Sequence, residues 1–188
     1  MQAVIIIDMI VDFVTGKFGG EHAQKIIPNI KRLSEAARRR GIPVIYVCDA
    51  HNRWDPEISI WGEHAMLETK GSEIIPELAP KPEDFIIKKR TYSAFFQTEL
   101  DDLLKKLGVK EVILTGVVTD ICVQHTAADA FFRGYLIVIP SDCTNAVKKE
   151  KHEQALETMR SLYGAKITIS EEIISGWGEN EKVPYCHS

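Results

Sequence analysis

EVILTGVVTDICVQHTAADAFFRGYLIVIP, residues 111 to 140, is the stretch that decides the fold. EVILTG (111–116) and YLIVIP (135–140) are short, apolar and β-branched, with no alternation of polar and apolar positions. Strands of that kind are buried on both faces. Between them, DICVQHTAADAFFRG (120–134) reads as a helix. A buried strand, a helix and a second buried strand form the crossover unit of a parallel sheet with helices packed over it.

The same alternation runs along the chain. AVIII (3–7), PVIYVC (43–48), DFIIK (84–88) and AKITIS (165–170) read as further strands. AQKIIPNIKRLSEAARRRG (23–41), with Pro28 early and Gly41 as its stop, reads as a helix, as do TELDDLLKKLG (98–108), capped by Thr98, and KHEQALETMRSLYG (151–164). The expectation is a three-layer α/β fold: a parallel sheet of about six strands with helices on both faces, in a single domain over residues 1–188. The longest stretch without clear structure, 49–83, exceeds an ordinary connection and points to function or disorder. The tail SGWGENEKVPYCHS (175–188) has the look of a segment that crosses a neighbouring subunit.

A chain of 188 residues, 45% hydrophobic and 27% charged, suits one domain with a sizeable core. Its net charge of −4 gives no reason to expect nucleic acid or an anionic membrane as partner. The N-terminal MQAVIIIDMIVDF is apolar but short, is broken by Asp8, and lacks a charged leader and a small-residue cleavage site, so it is not read as a signal peptide. No apolar run approaches the roughly 18 residues of a membrane span. The four cysteines (48, 122, 143 and 186) make no CxxC pair, and reduced thiols in a cytoplasmic protein are expected. Arg38-Arg39-Arg40, just before Gly41, reads as a cationic cap on a helix end.

In open parallel sheets, ligands bind beyond the carboxyl ends of the strands, where strand order reverses. Asp8 follows the first predicted strand, Asp49 and His51 the second, Lys88 and Lys89 the third. GVVTDIC follows the fourth and places Cys122 in the first turn of a helix. A helix N-terminus and a nearby lysine both favour a thiolate. A partly desolvated Asp8 would hold a proton more tightly than a surface carboxylate and could take the thiol proton and return it. Backbone N–H groups around Cys122 could hold an oxyanion. Plain readings stand beside these: Cys122 as an inert core thiol, Lys89 as solvated as Lys88 and Arg90. Spacing alone leaves Cys122 open between the two.

Three long motifs occur in order: VIIIDMIVDFV (4–14), KRTYSAFFQTEL (89–100) and GVVTDICVQHTAADAFFRGY (116–135). With them the chain resembles the isochorismatase-like cysteine hydrolases over roughly residues 3 to 170. The resemblance implies that family's Rossmann-like fold and a triad of Asp8, Lys89 and Cys122; the lysine three residues before the Tyr of Y-S-A-F selects Lys89 over Lys88. It implies a cis peptide at Val117–Val118, aiming the N–H of Val118, with that of Cys122, at the oxyanion. The true isochorismatases lack the cysteine, so its presence implies amide hydrolysis. Self-association into a homo-oligomer is likewise implied.

In DAH (49–51), residues i and i+2 of an extended chain face one side, so Asp49 and His51 could share a ligand, with His64 supplied by the long loop. Two histidines and a carboxylate suit Zn²⁺, Fe²⁺ or Mn²⁺ with positions left open; a polar loop bonded to itself is the plain alternative. The metal-dependent nicotinamidases are similar here, their metal taking the pyridine nitrogen of the substrate. Nicotinamide is therefore the first substrate, with Phe13, Trp54, Trp61 and Tyr92 as pocket walls. N-carbamoylsarcosine or another ureido acid is second, with Arg53 and Arg90 open between carboxylate partners and plain surface residues. A fold-retaining binding protein and a redox-sensing Cys122 are the readings from other classes. His125 is assigned a structural role, His22 and His152 the surface, Cys48 and Cys143 the core, and Cys186 and His187 the tail. GKFGG (16–20) lacks G-x-G-x-x-G spacing and reads as a gate near Asp8 rather than a phosphate loop.

Overall fold

The computed structural model describes residues 1–178. Its strands are β1 (Gln2–Ile7), β2 (Val44–Asp49), β3 (Phe85–Lys89), β4 (Glu111–Val117), β5 (Leu136–Pro140), β6 (Thr144–Asn145) and β7 (Lys166–Thr168). Its helices are α1 (Val11–Val14), α2 (Glu21–Gln24), α3 (Ile27–Arg38), α4 (Pro56–Trp61), α5 (Leu100–Lys106), α6 (Gln124–Phe132), α7 (Lys149–Tyr163) and α8 (Ser170–Gly176). The sheet is parallel, in the order β3-β2-β1-β4-β5-β7, with β6 paired beside β4. Seven strands thus stand where about six were expected, the extra one being a two-residue pairing too short to leave a sequence pattern.

Burial on both faces follows the period of two. Ala3, Ile5 and Ile7 of β1 join one core with Leu104 of α5, Ala130 of α6 and Met159 of α7. Val4 and Ile6 face the other core with Ile30 and Leu33 of α3. Each aliphatic side chain so buried contributes roughly 1.5–3 kcal/mol, which is why an uninterrupted AVIII settles at the centre of the sheet. Strand order reverses across β1 and β4, whose carboxyl ends meet at Ile7 and Gly116. Gly116 has φ +104°, and a Cβ there would collide with the carbonyl oxygen of Ile7. Only glycine allows this approach of the two strands.

Several boundaries differ from expectation. The helix predicted over 23–41 divides into α2 and α3, with Pro28 in the first turn of α3, where no N–H is needed. AKITIS yields only three strand residues, because the backbone N–H and hydroxyl of Ser170 bond to the Asp142 carboxylate and α8 starts there. Arg38 does not cap its helix. It forms a two-pronged bond to Asp84 and reaches the Tyr46 hydroxyl, while Arg40 bonds the Ala36 carbonyl at 3.2 Å. Among the described residues no helix is long and apolar enough to cross a membrane.

Candidate active site

Asp8, the first residue beyond β1, is fully buried and has φ +55°, a left-handed conformation that costs a side-chain-bearing residue about 1–2 kcal/mol. That turn brings its Oδ1 to the backbone N–H of Asp49, at 2.8 Å. Lys89, the last residue of β3, is paired in register with Asp49. The choice between neighbouring lysines is settled by the pleat: Lys88 is exposed and Lys89 is 1% exposed. Its Nζ lies 2.8 Å from Asp8 Oδ2, 2.5 Å from Asp49 Oδ1, 3.0 Å from the Thr91 carbonyl and 3.7 Å from Cys122 Sγ. Cys122 stands on a turn of π-helix, Thr119–Val123, that opens into α6. The peptide Val117–Val118 at its base is cis.

The charges are interlocked. Burial and the Asp49 carboxylate push Asp8 up to about 6, against the pull of Lys89. Burial works against Asp49 as well, yet Lys89 and His51 hold it below the usual carboxylate range. Burial acts to lower Lys89, but Asp49 and Asp8 outweigh it and keep the ammonium charged. Burial, with Asp8 and Asp49 beside it, pushes the Cys122 thiol well above its ordinary value despite Lys89. A desolvated anion next to two carboxylates loses more than a helix terminus returns. Cys122 therefore rests as a thiol within reach of a carboxylate whose proton affinity is raised.

A second cluster borders the first. Asp49, His51, Glu57 and His64 place one potential ligand atom each within 4.8 Å of one another. His51 Nε2 is 3.4 Å from Asp49 Oδ2 and 3.6 Å from Glu57 Oε2, and His64 Nε2 is 4.0 Å from the latter. Around a tetrahedral ion with bonds near 2.0–2.2 Å, ligand atoms stand about 3.3–3.6 Å apart. Asp49 Oδ2, His51 Nε2 and Glu57 Oε1 are buried without hydrogen-bond partners. Orphaned polar atoms are costly, and convergent ones fit a cation. The loop is held in place by its backbone: His51 N–H bonds Ala65 O and Leu67 N–H bonds His51 O, both at 2.9 Å. Asp12 accepts the Ala65 N–H at 2.7 Å, and Lys17 donates to the carbonyls of Trp61 and Glu63.

Both clusters open onto one cavity. Phe13, Phe18, Trp61 and Tyr92 line it together with His64, Val118 and Cys122, and the Trp61 indole N–H bonds the Tyr92 hydroxyl at 3.0 Å. The structure decides the open placements of Trp54, Arg53 and Arg90 and corrects those of His22 and His152. Trp54 is 83% exposed and does not reach the cavity. Arg90 pairs with Asp55 and Arg53 with Glu63, so neither arginine lines it. His22 is not a surface residue; it is half-buried on α2 and lines the cavity. His152 is half-buried too, its Nδ1 2.8 Å from the Thr119 hydroxyl. His125, for which a structural role was expected, is exposed, bonded to the Ile121 carbonyl and packed on Tyr92. The segment 16–20 does face the site, through Phe18. Cys48, Cys122 and Cys143 are free and buried, while Cys186 and His187 lie outside the described residues. Glu57 was missed, since the stretch 49–83 carries no pattern that sets it apart, and only the fold places it on α4 lining the cavity.

The chain is a doubly wound α/β protein with a buried carboxylate, ammonium and thiol gathered at its switch point. The isochorismatase domain matches residues 2–172, and the chain belongs to that family. The chain is an isochorismatase-family amidohydrolase. It is 37% identical to the N-carbamoylsarcosine amidase of Thermoplasma acidophilum, with a TM-score of 0.86 over 90% of this chain and 96% of that one. Nicotinamidase 3 of Arabidopsis thaliana is 34% identical over 83% of this chain and 79% of that protein. The pyrazinamidase of Pyrococcus horikoshii in complex with zinc is 30% identical, with a TM-score of 0.84 over 89% and 98% of the two chains.

Proposed function

We propose that the chain hydrolyses a small, neutral heteroaromatic carboxamide, nicotinamide first, to its acid and ammonia. The observation that carries this reading is the pocket itself. It is aromatic, has Cys122 on one side and Asp49, Glu57 and His64 on the other, the two carboxylates each with a buried oxygen that has no hydrogen-bond partner, and among the described residues no lysine or arginine lines it. A ureido acid would bring a carboxylate to a pocket with no lysine or arginine in its lining; a neutral ring needs neither, and its basic nitrogen suits the neighbouring cluster of potential metal ligands. The second reading, an N-carbamoylsarcosine amidase, is supported by the relative of that name at 37% identity.

In the proposed reaction, Asp8 takes the Sγ proton as the sulfur attacks the amide carbon, so the thiolate forms only during the step. Lys89 stays charged and offsets the negative charge passing between Asp8 and sulfur. The backbone N–H groups of Val118 and Cys122 receive the oxyanion. Asp8 then protonates the amide nitrogen, the C–N bond breaks, ammonia leaves, and a thioester joins Cys122 to the acyl group. Asp8 takes a proton from water as its oxygen attacks the thioester, and the thiol is restored as the acid departs. Asp49, His51, Glu57 and His64 would hold a divalent metal, zinc first, with Fe²⁺ or Mn²⁺ as alternatives. When bound, it would supply a Lewis-acid anchor for the ring nitrogen. Phe13, Trp61 and Tyr92 would flank the ring.

Ammonia release from nicotinamide and from N-carbamoylsarcosine, by protein as purified, chelated and reloaded with Zn²⁺, tests the reading. Nicotinamide turnover lost on chelation and restored by zinc is expected. Turnover of the ureido acid alone, indifferent to chelation, overturns both substrate and metal assignment.

A further inference from the structure

His51 presents Nε2 to the four-residue cluster, and its other ring nitrogen faces away from it. Nδ1 lies 3.1 Å from Asp55 Oδ2, which also accepts the Asn52 N–H at 2.9 Å. The second oxygen of Asp55 accepts Arg90 Nε at 2.9 Å and the Arg90 Nη2 group. Arg90 directly follows Lys89 at the end of β3, so a single strand end supplies both the triad lysine and this clamp. The Asp55 side chain is 2% exposed and that of Arg90 54% exposed, so the pair is dry on the side facing His51 and wet on the other.

We propose that Asp55, held by Arg90, is a positioning residue that fixes the His51 tautomer and thereby sets the affinity of the Asp49–His51–Glu57–His64 cluster for a divalent cation. This inference rests on the metal reading above. A carboxylate only accepts, so Nδ1 carries the hydrogen and the Nε2 lone pair is left for the cation. The arginine keeps the carboxylate oriented and ionised. A merely structural histidine at this depth would have both nitrogens satisfied, whereas Nε2 has no hydrogen-bond partner and the imidazole is fully buried.

The test uses the metal-free full chain, zinc alone as probe, and competition against a chromophoric chelator. Asp55→Ala should weaken zinc binding by about 10–100-fold, the usual cost of removing an outer-shell partner. Asp55→Asn, which keeps an accepting oxygen, and Arg90→Gln, which keeps the carboxylate, should fall between it and wild type. Should Asp55→Ala fail to fold, these two variants decide the matter. ¹⁵N NMR of His51 in the metal-free protein should show Nδ1–H in wild type and a redistributed tautomer in Asp55→Ala, a change that a purely structural turn would not produce. Wild-type zinc affinity in all three variants, with the His51 tautomer unmoved, overturns this inference alone. Absence of zinc binding by wild type overturns the metal reading and this inference together.

Discussion

Replacing Lys89 with methionine removes the charge at the centre of the site while keeping most of the side-chain volume. In wild type the ammonium lies 2.8 Å from Asp8, 2.5 Å from Asp49 and 3.7 Å from Cys122, with Lys89 1% exposed. Removing one partner of a buried ion pair costs about 3–5 kcal/mol, because an uncompensated charge is left behind. Two carboxylates depend on this one cation, so the upper part of that range applies. For a chain of this size 1 kcal/mol moves the melting temperature by about 2–4 °C, so about 4–5 kcal/mol gives a fall of about 8–20 °C near pH 8. The sign of the pH dependence follows from Asp8. Its folded pKa, about 6, already exceeds the ordinary value of 3.8, and Lys89 is a group that lowers it. Without Lys89 it rises further. A carboxyl with a raised folded pKa contributes stability that is complete at low pH and is lost as pH rises through that pKa. The deficit of Lys89→Met must therefore shrink on acidification. Calorimetric melts of both proteins near pH 8 and near pH 5 give the comparison. A melting temperature at the higher pH equal to wild type, or a deficit that grows on acidification, refutes the buried charge network.

Three further outcomes are expected. Gly116→Ala forces a Cβ against the Ile7 carbonyl at φ +104° and should cost about 2–6 kcal/mol by denaturant titration, with Val or Ser no better; a neutral change would mean β4 is free to move from β1. The kcat/KM for the amide should rise with pH through an apparent pKa near 6, because below it Asp8 is protonated and cannot accept the thiol proton. An acid limb near the ordinary carboxylate value of about 4 would remove Asp8 as the base. Glu57→Gln, measured by zinc competition, should weaken binding by about 10-fold or more if the carboxylate is a ligand, and wild-type affinity would restrict the site to Asp49, His51 and His64.

The order of strands and helices was legible because apolar β-branched runs without alternation have few alternatives to a doubly covered parallel sheet. Asp8, Lys89, Asp49, His51 and Cys122 were legible because each sits at or just beyond the end of a predicted strand, where topology alone gathers side chains. Lys88 and Lys89 could not be separated by burial patterning, and the Y-S-A-F register decided between them. Glu57, Asp55 and His22 were not legible. Glu57 lies on α4, Asp55 just before it and His22 on α2, and the 51–67 loop is held by Asp12 and Lys17, tertiary contacts with no local period. How far burial raises the Cys122 thiol was not legible for a related reason. A helix terminus is visible in sequence, but the depth of burial and the second carboxylate that oppose it are not.

The central claim is that Cys122 is the nucleophile of an amide hydrolysis. Ammonia release from nicotinamide by zinc-loaded wild type and Cys122→Ala, with zinc content and melting temperature measured on the same samples, tests it most directly. Turnover should fall by about 10⁴-fold or more in the variant, with zinc content and fold retained. Turnover near wild type in a folded, zinc-loaded Cys122→Ala protein would contradict it.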